Sequence, residues 1–332
     1  MNAKISNLVF EGGGVLGIAY LGVLDYLYKN NIFQNVNKVA GTSAGAITAC
    51  ITSFNLSFPA IKQIADTLDY QKVPQQISHP ALKAISAPIR NEITKIFGDI
   101  DSIYRLVHNY GWYSSNYFYS WLQKQIANQF DSSKKLPPYT FADFKNQTIH
   151  KQNRPFLDLY IIGTNISYKT SMVFSYETTP NMEVAEAVRI SMSIPLFFES
   201  IQVNNNQITN DTRPFIFSDG GVMRNYPINI FDTEKYKDEM IKGVNYRTLG
   251  ARFRHKTKYS NITNLLEYIK NLNDAFMNIQ QDVYRNSPQD IARSIEIDTG
   301  NISSVDFDIK PNDNTYQFLY SQGYNATKKY FQ

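Results

Sequence analysis

Two stretches near the amino terminus repeat one local plan, and that plan restricts the fold more than any other feature of the chain. In NLVFEGGGVLGIAYLGVLDYLYKN a short apolar run, residues 7–10, enters a glycine loop and then an apolar pattern at helical spacing, residues 15–30. In VNKVAGTSAGAITACITSF a second short run, residues 36–41, enters G-T-S-A-G and a very apolar helix, residues 44–54. Short runs of this kind read as buried strands, and strand–turn–helix units in series read as a parallel sheet with helices packed on it.

The rest of the chain keeps that alternation. Residues 57–130 read mainly as helix, with Ser114 or Ser115 capping a helix inside residues 110–130. DSSKKLPPY, residues 131–139, is a polar surface loop, and FLDLYIIGTNI, residues 156–166, is the strongest strand pattern. Residues 202–215 look like a polar hairpin, and residues 216–221 a strand ending in a sharp turn. A helix over 261–286, a strand over 294–300 and a terminal helix over 314–331 follow. The expectation is a single α/β domain over residues 1–332, with a central mostly parallel sheet and helices on both faces. Its core motifs lie within residues 7–228 and a closing segment within 261–332.

Composition excludes several function classes. With 43% hydrophobic and 19% charged residues the chain carries a sizeable core. A net charge of +4 is too small for a nucleic-acid footprint and at most assists contact with an anionic lipid surface. The single cysteine, Cys50, permits no intramolecular disulfide and sits in an apolar helical pattern as a small core residue. There is no secretory signal pattern and no run of eighteen apolar residues, so lipid contact is expected to be peripheral. The expected location is cytoplasmic or at a membrane surface, with export as an effector without a cleaved signal as the alternative.

Three motifs carry chemistry. Gly41-Thr42-Ser43-Ala44-Gly45 matches a nucleophile elbow, in which a tight strand-to-helix turn projects a serine above the amino end of a helix. A serine hydroxyl is a weak nucleophile, so it needs a base for its proton and donors for the oxyanion that forms. Gly12-Gly13-Gly14-Val15-Leu16-Gly17 offers bare amides that can face an anion. A dinucleotide fingerprint would need an acidic residue at the end of the next strand, and residues 30–41 contain none. No G-K-[ST] follows the glycines, which excludes a P-loop. Asp219-Gly220-Gly221 closes an apolar strand. Alone it is an ordinary turn, but it brings a carboxylate to the sheet edge where Ser43 is expected.

Glycine loop, then G-x-S-x-G, then D-G-G, in this order, resembles the patatin-like phospholipase family. AVRISMSIPLFFES (residues 187–200), DGGVMRNYPI (219–228), VDFDI (305–309) and the last helix are similar to further family segments, so the resemblance spans essentially the whole chain. It implies a Ser–Asp dyad: Ser43 attacks an acyl ester, and Asp219 takes its proton without a histidine. The amides of Gly13 and Gly14 hold the oxyanion. It also implies phospholipid or other lipid acyl esters as substrates, a peripheral membrane surface as partner, and no metal or other cofactor. Some exported family members need a protein activator, a requirement not legible here. One departure stands out: Leu16 occupies a loop position where family members often carry Arg or Lys. A carboxylate is a useful base near neutral pH only if burial raises its pKa, so Asp219 is expected to be partly desolvated.

The alternatives are specific. A Ser–His–Asp hydrolase would have its histidine after the acid, and of His79, His108, His150 and His255 only His255 follows Asp219. A catalytically silent lipid-binding protein on the same fold would have lost Ser43 or Asp219, and both are present. Arg252, Arg254, Lys256 and Lys258 read as a solvated strand edge, with lipid contact as the rival. In the aromatic segment 110–121, Tyr117, Phe118, Trp121, Leu122 and Ile126 share one helical face and read as core, leaving Trp112 and Tyr113 as the interfacial pair. Arg189, Ser191 and Ser193 are expected to serve as scaffold beneath the site.

Overall fold

The computed structural model describes residues 4–77, 91, 99–204, 213–254 and 259–332. Its strands are β1 (Asn7–Phe10), β2 (Lys38–Thr42), β3 (Gly111–Tyr113), β4 (Asp158–Asn165), β5 (Thr170–Ser175), β6 (Leu196–Phe198), β7 (Ile201–Val203), β8 (Phe215–Asp219), β9 (Thr248–Phe253) and β10 (Ser294–Ile297). The principal sheet runs β10-β9-β1-β2-β4-β8-β7, with β5 also on β4, and β3 pairs with β6 separately. The ladders from β10 to β4 are parallel, whereas β5, β7 and β8 join antiparallel. The fold is therefore α/β with a central, mostly parallel sheet. Among the described residues no helix is long and apolar enough to cross a membrane.

The central strands are buried on both faces, which is why they read as unbroken apolar runs. Leu8, Phe10, Val39, Leu159 and Ile161 point into the main core, and Val9, Ala40, Tyr160 and Ile162 into a smaller one. Five helices matter below: α1 (Ala19–Lys29), α2 (Ala44–Ser53), α3 (Val184–Ser191), α4 (Leu265–Arg285) and α5 (Asn314–Phe331). α1, α2, α3 and α5 contribute to the main core. On the other face Ile228, Ile230 and Phe231 form the smaller core with Tyr226 and Tyr236 against them, and α4 lies beside it with Tyr284 against Tyr226 and Arg252.

The aromatic helix behaves as expected. It runs Asn116–Ala127 with Ser115 at its N-cap, and Phe118, Trp121, Leu122 and Ile126 are buried. Trp112 and Tyr113, expected as an interfacial pair, are not fully exposed. They lie in β3, partly buried, where the Trp112 carbonyl accepts from Arg105 Nε (3.0 Å) and the Tyr113 ring packs against Phe197. The basic segment is also not a solvated edge. β9 pairs on both sides, with β1 and β10. Arg252 is buried with its guanidinium 3.5 Å from the Tyr284 ring centroid, and Arg254 pairs with Glu296 at 2.8 Å. Lys256 and Lys258 lie outside the described residues, as do His79 and His255.

Candidate active site

The register around β4 creates the site. β5 covers Tyr160 to Asn165 along one edge of β4. β2 pairs with Asp158 to Ile162 and β8 with Gly163 to Asn165, so both occupy the opposite edge, one after the other. They run in opposite senses, and their carboxyl ends meet: Thr42 pairs with Ile162 and Asp219 with Gly163. The residue after Thr42 is Ser43, which is thereby delivered against Asp219.

Ser43 turns the chain from β2 into α2 with φ 53° and ψ −122°, a backbone region costly for a side-chain-bearing residue. The elbow is tight: a Cβ on Gly41 would sit 2.1 Å from the Gly45 carbonyl oxygen. Strain at Ser43 is held by its surroundings. Its N–H donates to Ser191 Oγ (2.9 Å), whose own hydroxyl donates to the Ile162 carbonyl. The Thr42 hydroxyl donates to the Arg224 carbonyl (2.9 Å). Ser191 thus has the scaffold role expected of it. Ser191→Ala leaves the Ser43 amide without an acceptor, and a loss of about 1–3 kcal/mol is expected in denaturant unfolding.

Ser43 Oγ donates to Asp219 Oδ2 at 2.7 Å. Both groups are nearly closed off, Ser43 being 6% and Asp219 4% exposed. Burial pushes the Asp219 carboxyl up to about 7, against the pull of hydrogen bonds from the Gly221 N–H (2.6 Å to Oδ1) and the Ser43 hydroxyl. The carboxylate is more deeply desolvated than the sequence suggested. Gly220 continues the turn, its N–H donating to the Ser191 carbonyl (3.3 Å), and the Asp219 N–H donates to the Ser193 carbonyl (2.8 Å). A direct 2.7 Å bond leaves no room for an imidazole between Ser43 and Asp219. His150 is engaged elsewhere, with its ring nitrogens 2.8 Å and 2.9 Å from the carbonyls of Arg154 and Asp143. Cys50 is buried and its thiol is pushed up by desolvation, which keeps it inert.

The glycine loop faces this pair. Gly13, Gly14, Ser43 and Asp219 line one cleft of about 550 Å³, open to solvent and walled by Ile194, Phe197, Val222 and Met277. The Gly12 N–H donates to the Asn225 carbonyl (3.0 Å) and the Val15 N–H to the Ser304 carbonyl (3.0 Å). Between them, the N–H groups of Gly13 and Gly14 have no hydrogen-bond acceptor among the described residues. Gly17 lies farther along, against Ala44 on the far side of the elbow. Leu16 is buried and does not line this cleft. A Cβ on Gly12 would fall 2.3 Å from Asn225 Oδ1 and 3.1 Å from Ser43 Cβ. Asn225 cannot swing aside without breaking its Nδ2 bond to the Gly12 carbonyl (3.2 Å). Gly12→Ala is therefore expected to cost about 1–3 kcal/mol and to lower ester hydrolysis by about 100-fold, read from thermal melts and initial rates.

Several supporting residues escaped the sequence reading. Gln280 on α4 donates to the Gly221 carbonyl (2.7 Å) and accepts from the Asn225 N–H (2.6 Å). Its neighbour Gln281 donates to Glu11 Oε1 (2.9 Å), while Glu11 Oε2 accepts from the Phe253 N–H (2.7 Å). One helix thus ties the aspartate turn to the glycine loop. Asn225 Oδ1 is buried in the cleft wall with no hydrogen-bond partner among the described residues. The available signals were faint: a charged residue directly before three glycines, and two adjacent amides in an amphipathic helix.

Comparison with known proteins agrees with this geometry. Residues 8–232 match a family model described as patatin-like phospholipase. An uncharacterised protein of Acanthamoeba polyphaga mimivirus is 25% identical over 323 residues, covering 95% of this chain and 91% of its own. YqhO of Bacillus subtilis, also uncharacterised, is 30% identical over 266 residues, 78% of this chain and 76% of its own. A protein of invertebrate iridescent virus 6 described as a probable lipid hydrolase is 25% identical over 265 residues, 77% of this chain and 75% of its own. Among solved structures, VipD from Legionella pneumophila shares the fold, with a TM-score of 0.58 at 18% identity over 99% of this chain and 67% of VipD. The family match takes in both glycine turns and the aspartate strand, and the chain belongs to the patatin-like phospholipase family.

Proposed function

We propose that the protein is a lipid acyl hydrolase of phospholipase A type, acting through an acyl-enzyme on Ser43 with Asp219 as the sole base, the whole chain serving as one catalytic domain. The observation that carries this reading is the 2.7 Å hydrogen bond from Ser43 Oγ to Asp219 Oδ2. In the first half-reaction Asp219 takes the Ser43 proton as Oγ bonds to the ester carbonyl carbon. The oxyanion is received by the N–H groups of Gly13 and Gly14, aided by the positive amino end of α2. Collapse breaks the ester C–O bond, and the leaving alcohol takes the proton from Asp219. In the second half-reaction Asp219 takes a proton from water as it attacks the acyl carbon, and the fatty acid leaves with Ser43 restored. The enzyme meets phospholipid or another acyl ester at a membrane surface, from outside the bilayer.

The test is fatty-acid release from mixed phospholipid vesicles, with products identified by mass spectrometry, beside labelling by a fluorophosphonate probe. Release together with label on Ser43 supports the reading. A folded protein that neither releases fatty acid nor takes the label belongs to the catalytically silent class.

A further inference from the structure

The apolar residues of α4 sit on an unexpected face. Leu265, Tyr268, Leu272, Phe276, Ile279 and Val283 recur every three or four residues, and at about 100° per residue they fall within an arc of about 80°. A stripe of this kind ordinarily packs into the core. Here Ile279 is 69% and Val283 75% exposed, with Leu265, Tyr268 and Phe276 at 48%, 52% and 40%. The anchoring face beside it buries Ile269 and Tyr284 and adds amide bonds: Gln280 and Gln281 make the bonds described above, and Asn273 Nδ2 donates to the Pro195 carbonyl (3.1 Å).

We propose that this stripe seats the enzyme on a phospholipid surface, with the hydrocarbon boundary against Phe276, Ile279 and Val283. The proposal rests on the lipid-hydrolase reading given above. Three observations select a lipid surface. The stripe is continuous with the catalytic cleft, because Phe276 lines that cleft together with Ser43 and Asp219. It continues on the other side, where Val283 and Met223, the latter 46% exposed, line an adjoining depression. An acyl chain leaving a bilayer along this surface would meet Phe276 and Met277 at the wall of the cleft that holds Ser43. The charge on α4 points the same way. Glu267, Asp274 and Asp282 outnumber Lys270 and Arg285, so the helix is suited to apolar insertion and not to capture by anionic head groups. The amide bonds also fix α4 to both catalytic turns, so the stripe is presented at a set distance from the nucleophile.

The test uses the full chain carrying Ser43→Ala, so that the vesicles stay intact, in sedimentation with phosphatidylcholine vesicles. Adding Ile279→Ser and Val283→Ser is expected to lower the partition coefficient by about tenfold or more. Doping the vesicles with phosphatidylserine is expected to change binding by about twofold or less. In the otherwise wild-type protein the same two substitutions are expected to leave hydrolysis of a soluble short-chain ester unchanged while vesicle hydrolysis falls in parallel with binding. A blue shift of added tryptophan emission in Ile279→Trp upon vesicle addition gives a second readout in a folded protein. Unchanged partition in the double variant overturns the proposal. So does binding that appears only with phosphatidylserine, or a dimer that the double variant converts to monomer without change in vesicle binding, which would make a second copy the occupant. A wild type silent on every ester whose vesicle binding still falls in the variant would refute the catalytic reading and leave the docking surface standing.

Discussion

Ser43→Ala is expected to lower fatty-acid release by about 10⁴- to 10⁶-fold, the range seen when the nucleophile of a serine hydrolase is removed. The fold should survive. Alanine keeps the Cβ and can be held at φ 53° by the same Ser191 acceptor that holds Ser43. What is lost is the nucleophilic oxygen and a hydrogen-bond donor to Asp219 Oδ2. That donor lowers the carboxyl pKa against the push of burial, so its removal is expected to raise Asp219 further above about 7. Three measurements check this result: initial rates on vesicles, the mass of the fluorophosphonate adduct, which should vanish, and a circular dichroism spectrum matching the wild type. A variant retaining a tenth or more of the rate would show that another group attacks the ester.

Asp219→Asn is expected to lower activity by about 10³- to 10⁴-fold and, unlike most active-site lesions, to raise stability at alkaline pH. Asparagine can still accept the Gly221 N–H, but it cannot take the Ser43 proton. The pH dependence follows from the direction of the Asp219 shift. In the proposed mechanism catalysis needs the carboxylate, so the wild-type rate should climb through pH 7 and level off above it. Stability moves the opposite way. Between the unfolded carboxyl pKa near 4 and the folded value of about 7, the native state holds a proton that the unfolded chain has released. Unfolding free energy therefore falls as pH rises through that window, and above it the native state carries a buried charge. The asparagine variant lacks this term, so it should be more stable than wild type at pH 8 by about 2–4 kcal/mol and similar to it at pH 4. Denaturant titrations at the two pH values would test this, and equal stabilities at pH 8 would mean that the carboxylate is solvated in solution.

These two effects express one design. The base proposed here works without a histidine and must itself be tuned, and burial of Asp219 would do the tuning. The cost is instability in the pH range where the base is active, offset by the hydrogen bonds from Ser43 and Gly221. Those bonds depend on the elbow and the aspartate turn keeping their places. Ser191 supports both, accepting from the Ser43 amide through Oγ and from the Gly220 amide through its carbonyl. Gln280 then fastens the aspartate turn to α4.

Local sequence determined much of this protein. The runs at residues 7–10 and 36–41 are mainly apolar at their centres because their strands are covered on both faces, so strand, glycine turn and helix were legible from composition and spacing alone. Ser43 and the three loop glycines stood out as candidates because a tight turn that presents a hydroxyl or bare amides tolerates few residue types, whereas Asp219 stood out only by its place at a strand end and by the order of the three motifs. The meeting of Ser43 and Asp219 was expected at a shared edge of parallel strands, but it arises from an antiparallel strand whose carboxyl end faces that of β2 along one edge of β4. Strand direction and register are set by pairing between distant segments, Ile162 with Thr42 and Gly163 with Asp219, which no local pattern encodes. The interfacial residues show the same limit. Trp112 and Tyr113 have the composition for a membrane surface yet are taken up by pairing with β6, while the stripe on α4 has the spacing of a core helix yet faces outward. A helical pattern states that an apolar face exists. The face covered here carries Ile269 and Tyr284 together with amides at Asn273, Gln280 and Gln281, whose hydrogen bonds to the Pro195 and Gly221 carbonyls and to the Glu11 carboxylate exist only once the sheet has formed.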